Sequence, residues 1–286
     1  MNRFQRSFRL LSESLAIVRA DRSLLLFPVL SAVFTVLAVV LIFVPAALLA
    51  GVALSAGRPH ATLALLAASA LAGYAATAVA TYFNVALASC AARSFHGEQT
   101  NVGEGLRAAN ARIGSILLWA LIAALVGTIA RAVEQRAGVL GNIVAGLLGA
   151  AWAVATYFVV PVLAFEQVGP ADAVRRSLQT VRRSWGESLI GNVGLGIAGF
   201  VLMLPLVLLG LIGAGMVSQH PGAGVALLAV TALLFVALMV VGSAMGQVYK
   251  TAVYLYATNG EVVGYSSELL EGAFREKRSL RRRLFG

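Results

Sequence analysis

Six stretches of this chain stay apolar over the roughly 18–20 residues that a helix needs to cross about 30 Å of hydrocarbon. They lie near 25–51, 62–90, 113–131, 139–165, 189–217 and 224–249. No other feature constrains the fold as strongly, and the expectation is an all-α membrane protein forming a single polytopic domain over residues 1–286. Composition agrees, with 59% hydrophobic and 12% charged residues and a mean hydropathy of +0.87. A soluble domain carries about twice that charged fraction.

The first apolar run extends from Leu24 to about Ala56, longer than the roughly 7–15-residue apolar region of a signal peptide. Ala53 and Ser55 resemble a cleavage site, but the run is long enough to span, and it reads as an uncleaved first helix. The formal net charge is +10, which in a soluble protein would suggest nucleic acid. Here the charges fall in the gaps between apolar runs. One set of gaps holds Arg3, Arg6, Arg9, Arg19 and Arg22, then Arg93, Arg107 and Arg112, then Arg175, Arg176, Arg182 and Arg183, and a basic tail over 258–286. The opposite set holds only Arg58, Arg131 and Arg136. The positive-inside rule therefore places both termini in the cytoplasm. The Ala- and Gly-rich, arginine-dominated composition fits a GC-rich bacterial genome, hence a bacterial inner membrane, with no nucleic-acid partner.

The charged segments share a helical pattern. Phe4, Phe8, Leu11 and Leu15 recur at the spacing of one helix face, as do Val102, Leu106, Ala109 and Ile113, and Val174, Leu178, Val181 and Trp185. Each set forms a narrow apolar stripe with arginines elsewhere on the helix. They predict interfacial helices near 3–20, 101–112 and 171–185, lying on the inner leaflet. A second echo links Thr81-Tyr82-Phe83-Asn84-Val85 to Thr156-Tyr157-Phe158-Val159-Val160. Six transmembrane helices then read as three parallel repeats of a cytoplasmic interfacial helix plus a transmembrane hairpin.

Glu166, Gly169-Pro170, Ala173, Arg176-Ser177 and Arg183-Ser184-Trp185-Gly186 resemble a signature of an uncharacterised bacterial six-helix integral membrane family, a domain of unknown function. Ser7-Phe8-Arg9 through Leu24-Leu25-Leu26-Phe27-Pro28 is similar to the same family. That family is distantly similar to the membrane domains attached to some glycerophosphodiester phosphodiesterases. The resemblance implies a helical membrane domain without an established activity. The soluble phosphodiesterase domain has no counterpart here, so no catalytic residue is carried over.

Chemistry-bearing residues are sparse. No Asp or Glu falls within an expected span, which argues against an ion-coupled carrier. Lys250 follows about 25 apolar residues and is expected to snorkel from the end of helix six. Thr77, Thr81, Asn84 and Gln247 are the candidates for a polar cavity. Asn142 and Asn192 read as interhelical hydrogen bonders. Ala68, Ala72 and Ala76, with Gly242 and Gly246 of a GxxxG, are expected to let helices approach closely, first within the chain and alternatively between protomers. Pro45, Pro161 and Pro205 are expected to kink helices one, four and five. The lone Cys90 excludes an intrachain disulfide and reads as a small apolar residue at a helix end. His60, His96 and His220 share no metal-ligand spacing, and no nucleophile, zinc or phosphate-loop motif appears. No catalytic residue, metal or cofactor is expected.

The leading expectation is a non-enzymatic membrane protein that binds or organises anionic lipids or partner proteins. Its candidate headgroup contacts are Arg6, Arg9, Arg175, Arg176, Arg182, Arg183, Arg281, Arg282 and Arg283. A small transporter or pore for an uncharged or lipid-like substrate is the rival, and an accessory subunit of a membrane complex is the third reading. A homo-oligomer or a membrane-protein partner is compatible with each.

Overall fold

The computed structural model describes residues 3–55, 61–136, 138–183 and 185–259. Among these, every regular element is helical. In chain order they are α1 (Arg3–Ala20), a 3-10 turn (Arg22–Leu25), α2 (Leu26–Ser55), α3 (Ala61–Ser94), α4 (Val102–Asn110), α5 (Ile113–Arg136), α6 (Gly138–Ala155), α7 (Val159–Phe165), α8 (Pro170–Arg183), α9 (Trp185–Met216) and α10 (Pro221–Asn259). Six segments are long and apolar enough to cross a membrane, and the chain is a multi-pass membrane protein.

Local chemistry explains where the short helices begin. Asn101 has an extended backbone and its side chain accepts from the Glu104 N–H at 3.0 Å, a side-chain cap on an otherwise orphan donor. α8 opens with Pro170, whose missing N–H costs nothing in the first turn. Asp21 separates α1 from the 3-10 turn and accepts from both the N–H and the hydroxyl of Ser23, at 3.0 and 2.6 Å.

Two expectations are corrected. The fourth span is interrupted: α6 stops at Ala155, residues 156–158 form a turn, and α7 starts at Val159. Proline lacks an N–H and its ring crowds the carbonyl four residues earlier, here Tyr157, so Pro161 breaks the helix where a kink was expected. By contrast, α2 and α9 run through Pro45 and Pro205 as uninterrupted helices. Helix six does not end near Lys250 either. α10 continues to Asn259 over 39 residues, so Lys250 lies inside the helix. At about 1.5 Å per residue α10 is far longer than the hydrocarbon is thick.

The chain gathers into two compact units. The first comprises residues 1–25, 91–99 and 184–286; within it α1 packs on α9 and α10, and α9 pairs with α10. The α9–α10 hairpin closes on glycine: a Cβ on Gly224 would lie 2.7 Å from the Val217 backbone nitrogen, and one on Gly213 would lie 3.1 Å from Leu228. The second unit comprises residues 26–90 and 100–183. There α5 packs on α6, α8 packs on α5, α6 and α7, and Trp119 stacks on Trp152 with ring centroids 5.8 Å apart.

Burial follows a common rule along the spans. α2 buries Phe27 at its start, α3 buries Val85–Ala88, Cys90 and Ala91 at its end, and α5 buries Ile116, Trp119 and Ala120 at its start. α7 buries Val159, Pro161, Val162 and Leu163, and α10 buries Gln247–Tyr249 and Thr251–Tyr254 near its end. Apart from the end of α10, these are the span ends that adjoin α1, α4 and α8 in sequence. The remaining lengths leave large apolar side chains exposed, among them Leu41, Leu49, Leu147, Leu211 and Leu233. Soluble proteins rarely expose apolar surface on that scale.

Candidate functional site

The amphipathic helices α4 and α8 bury small or polar residues, and half-buried large apolar residues lie beside them. α8 is the fullest case. Pro170, Ala173, Ser177, Thr180 and Val181 are buried, while Val174 and Leu178 are only half-buried. Arg175, Arg182, Asp172 and Gln179 are exposed. With about 100° between successive residues, three sectors follow around the helix: a small-residue face, a large apolar face, and an arginine face.

α4 repeats the arrangement. Gly105 and Ala109 are buried, Val102 and Leu106 are half-buried, and Arg107 is exposed. Gly105 sets the distance of approach, because a Cβ there would lie 2.6 Å from Phe27 and 2.8 Å from Cys90 Sγ. In α1, Ser14 and Val18 are buried and Leu15 is half-buried. On α4 and α8 the protein-facing side overlaps the stripe expected from periodicity at Ala109 and Val181, which are buried, and extends beyond it to Gly105, Ala173 and Ser177, each about one residue, or 100°, round from the half-buried Leu106, Val174 and Leu178.

The joint between α7 and α8 accounts for much of the signature at 166–177. The break at 156–158 frees backbone donors, and the Phe158 N–H donates to Ser177 Oγ at 2.9 Å. Both residues are fully buried, where an unmet N–H would be costly. Glu166 terminates α7, donating its N–H to the Val162 carbonyl at 2.8 Å, and its carboxylate pairs with the Arg176 guanidinium. Ala173 is fully buried beside them on α8. Arg176 is thereby committed to a carboxylate within the chain.

In the first unit, Asp21 plays a comparable part. It is buried, caps the 3-10 turn, and accepts the Ser94 hydroxyl at 3.0 Å. Neither Asp21 nor Ser177 stood out in sequence as a tie between elements. The readable signal was an Asp two residues before a Ser at the end of an amphipathic helix, an Asx-turn pattern.

The other expected residues fall on several elements. Thr77, Thr81 and Asn84 lie on α3 in the second unit, and Gln247 lies on α10 in the first. The Thr77 hydroxyl donates to its own helix at Gly73 O, 2.8 Å away. Gln247 is 6% exposed and its Nε2 has no hydrogen-bond partner among the described residues. Ala68 and Ala72 are buried and Ala76 is half-buried. Gly242 and Gly246 meet nothing within 4 Å among the described residues. Cys90 is buried near the end of α3 with Sγ 3.8 Å from the Asn101 carbonyl. Among the described residues no three His, Cys, Asp or Glu side chains gather as a metal site. Arg6, Arg9 and Arg183 fall on helices, but their side chains, like those of Asn142, Asn192 and Trp185, lie outside the described residues, as do His60, Arg281, Arg282 and Arg283 altogether.

No curated protein matches the chain, and no solved structure does. A family of unknown function, DUF6159, matches residues 71–264. That interval runs from α3 through α10 and contains α4, the interrupted fourth span and α8. This multi-pass helical chain belongs to the DUF6159 family of unknown function.

Proposed function

We propose that this protein is a non-enzymatic component of a bacterial inner membrane that binds or organises anionic phospholipids at the cytoplasmic leaflet. In this reading α1, α4 and α8 are the interfacial helices of three parallel repeats, and both termini are cytoplasmic. The observation that carries it is the division of faces on α4 and α8. Each turns small residues to protein and leaves Leu106, or Val174 and Leu178, partly uncovered beside exposed arginines. A helix of that kind is stable where acyl chains meet headgroups. Arginines there attract anionic lipid at about 1 kcal/mol each. The distant similarity to the membrane domains of glycerophosphodiester phosphodiesterases belongs to the same reading and supplies no catalytic residue.

The test is native mass spectrometry of the protein released from bilayers of equal phosphatidylglycerol and phosphatidylcholine with matched acyl chains. Retained lipid should be enriched in phosphatidylglycerol over the bulk mixture. Retention in the bulk ratio would overturn the proposal.

The rival, a transporter for an uncharged or lipid-like substrate, draws on one observation, the buried Gln247 Nε2 without a hydrogen-bond partner among the described residues. Flux of such a substrate into liposomes, abolished by Asn84→Leu, would favour it over lipid binding.

A further inference from the structure

The arginines of α4 and α8 are not equivalent, and their positions separate them by role. On α4 the sequence Gly105-Leu106-Arg107 runs buried, half-buried, exposed, and on α8 Ala173-Val174-Arg175 does the same. Successive residues are about 100° apart, so each triplet places one residue against protein, one on the uncovered apolar face, and an arginine on the far rim of that face. Arg182, seven residues after Arg175, shares its rim and is also exposed. Arg176 projects from the opposite side of the apolar stripe, where it pairs with Glu166. Asp172 and Gln179 lie further round from Arg175, away from Val174 and Leu178.

Resting on the lipid-binding reading above, we propose that Arg107, Arg175 and Arg182 are the residues that grip phospholipid phosphates, and that Arg176 is a structural strut. The half-buried Leu106, Val174 and Leu178 seat the helices in the acyl region. That depth brings the neighbouring guanidinium groups level with the phosphodiesters. A guanidinium offers two parallel N–H donors to phosphate oxygens, and the ligand class is an anionic diacyl phospholipid, because both the apolar face and the arginine rim are engaged. The same small–large–arginine order occurs at Ser7-Phe8-Arg9 of α1.

The experiment titrates purified full-length protein with phosphatidylglycerol or phosphatidylcholine of identical chains and reads bound lipid by native mass spectrometry. For R107Q/R175Q/R182Q the phosphatidylglycerol preference should fall about fivefold per arginine removed, in protein that remains folded. R176Q should keep the wild-type preference and melt lower. Glycerol phosphate, which lacks acyl chains, should not compete. Equal loss of preference in R176Q, or none in the triple variant while the wild type discriminates, would overturn this assignment and leave the lipid-binding reading standing. A wild type without preference would remove both. Competition by glycerol phosphate would mark a free-phosphate site and overturn the diacyl ligand.

Discussion

Thr81-Tyr82-Phe83 and Thr156-Tyr157-Phe158 are identical triplets near the ends of the second and fourth spans, and they fold differently. In both, the tyrosine meets the phenylalanine edge to face, with ring centroids 5.3 and 4.7 Å apart. The first triplet lies within the uninterrupted α3, and the second forms the turn between α6 and α7. Five residues beyond each threonine stand Ala86 and Pro161. The alanine continues the hydrogen-bond ladder, whereas the proline removes a donor and crowds the Tyr157 carbonyl. How the following amphipathic helix is attached differs in consequence. α4 is held by the Tyr82 hydroxyl, 2.8 Å from Asn110 Oδ1, and by the close seat of Gly105. α8 is held through the broken backbone itself, by Ser177 on the Phe158 N–H. A helix break near the membrane is tolerated where a neighbour satisfies the freed groups, and α8 provides that neighbour.

The comparison breaks most severely if the proline is moved. Ala86→Pro would open α3 at a position with 0% exposure where no serine stands ready, at a cost of about 3 kcal/mol or more. The expected result is loss of the folded, monodisperse fraction on size-exclusion chromatography in detergent; wild-type yield and melting would show that the two segments do not differ for the reason given. Ser177→Ala should cost about 1–3 kcal/mol by stranding the Phe158 N–H, seen as a lower melting temperature. In a Pro161→Ala background, where an intact helix can reclaim that donor, the same change should cost less, and equal costs would show that serine and break are uncoupled. Gly105→Ala pushes a methyl into Phe27 and Cys90 and should destabilise by about 1–3 kcal/mol, whereas Gly242→Ala, which meets nothing within 4 Å among the described residues, should leave melting unchanged. The smallest effect belongs to Arg176→Gln. Its side chain is half exposed, so the pair contributes about 0–1 kcal/mol, and the loss should shrink as salt is added.

Much of the architecture was legible in the chain. The six apolar runs appear as helices close to where hydropathy places them, but Pro45, Pro161 and Pro205 read alike and only Pro161 adjoins an interruption among the described residues. Helix ends were less legible. Lys250 reads as the close of helix six, yet Thr251–Tyr254 are buried and α10 runs on to Asn259, because tertiary packing sustains a helix past a charge. At the candidate site the arginines were visible but their roles were not. Arg175 and Arg176 are neighbours in sequence and about 100° apart on the helix, and among the described residues only Arg176 meets a carboxylate.

The sequence by itself determined that this chain spans a membrane and that amphipathic helices lead into its spans. Each of these follows from local pattern and the thickness of a bilayer. Tertiary structure alone decided which face of each amphipathic helix meets protein. Periodicity marks the large apolar residues as the stripe to bury, a rule that holds in water. In the interfacial placement proposed above a leucine would be as well solvated by acyl chains as by protein, and small residues such as Gly105, Ala173 and Ser177 permit the close approach that dispersion and hydrogen bonding reward. The partner of the Phe158 N–H, 19 residues away, and the Ser94 hydroxyl on Asp21, 73 residues away, are likewise decided only by tertiary structure, because contacts between distant residues leave no local periodicity.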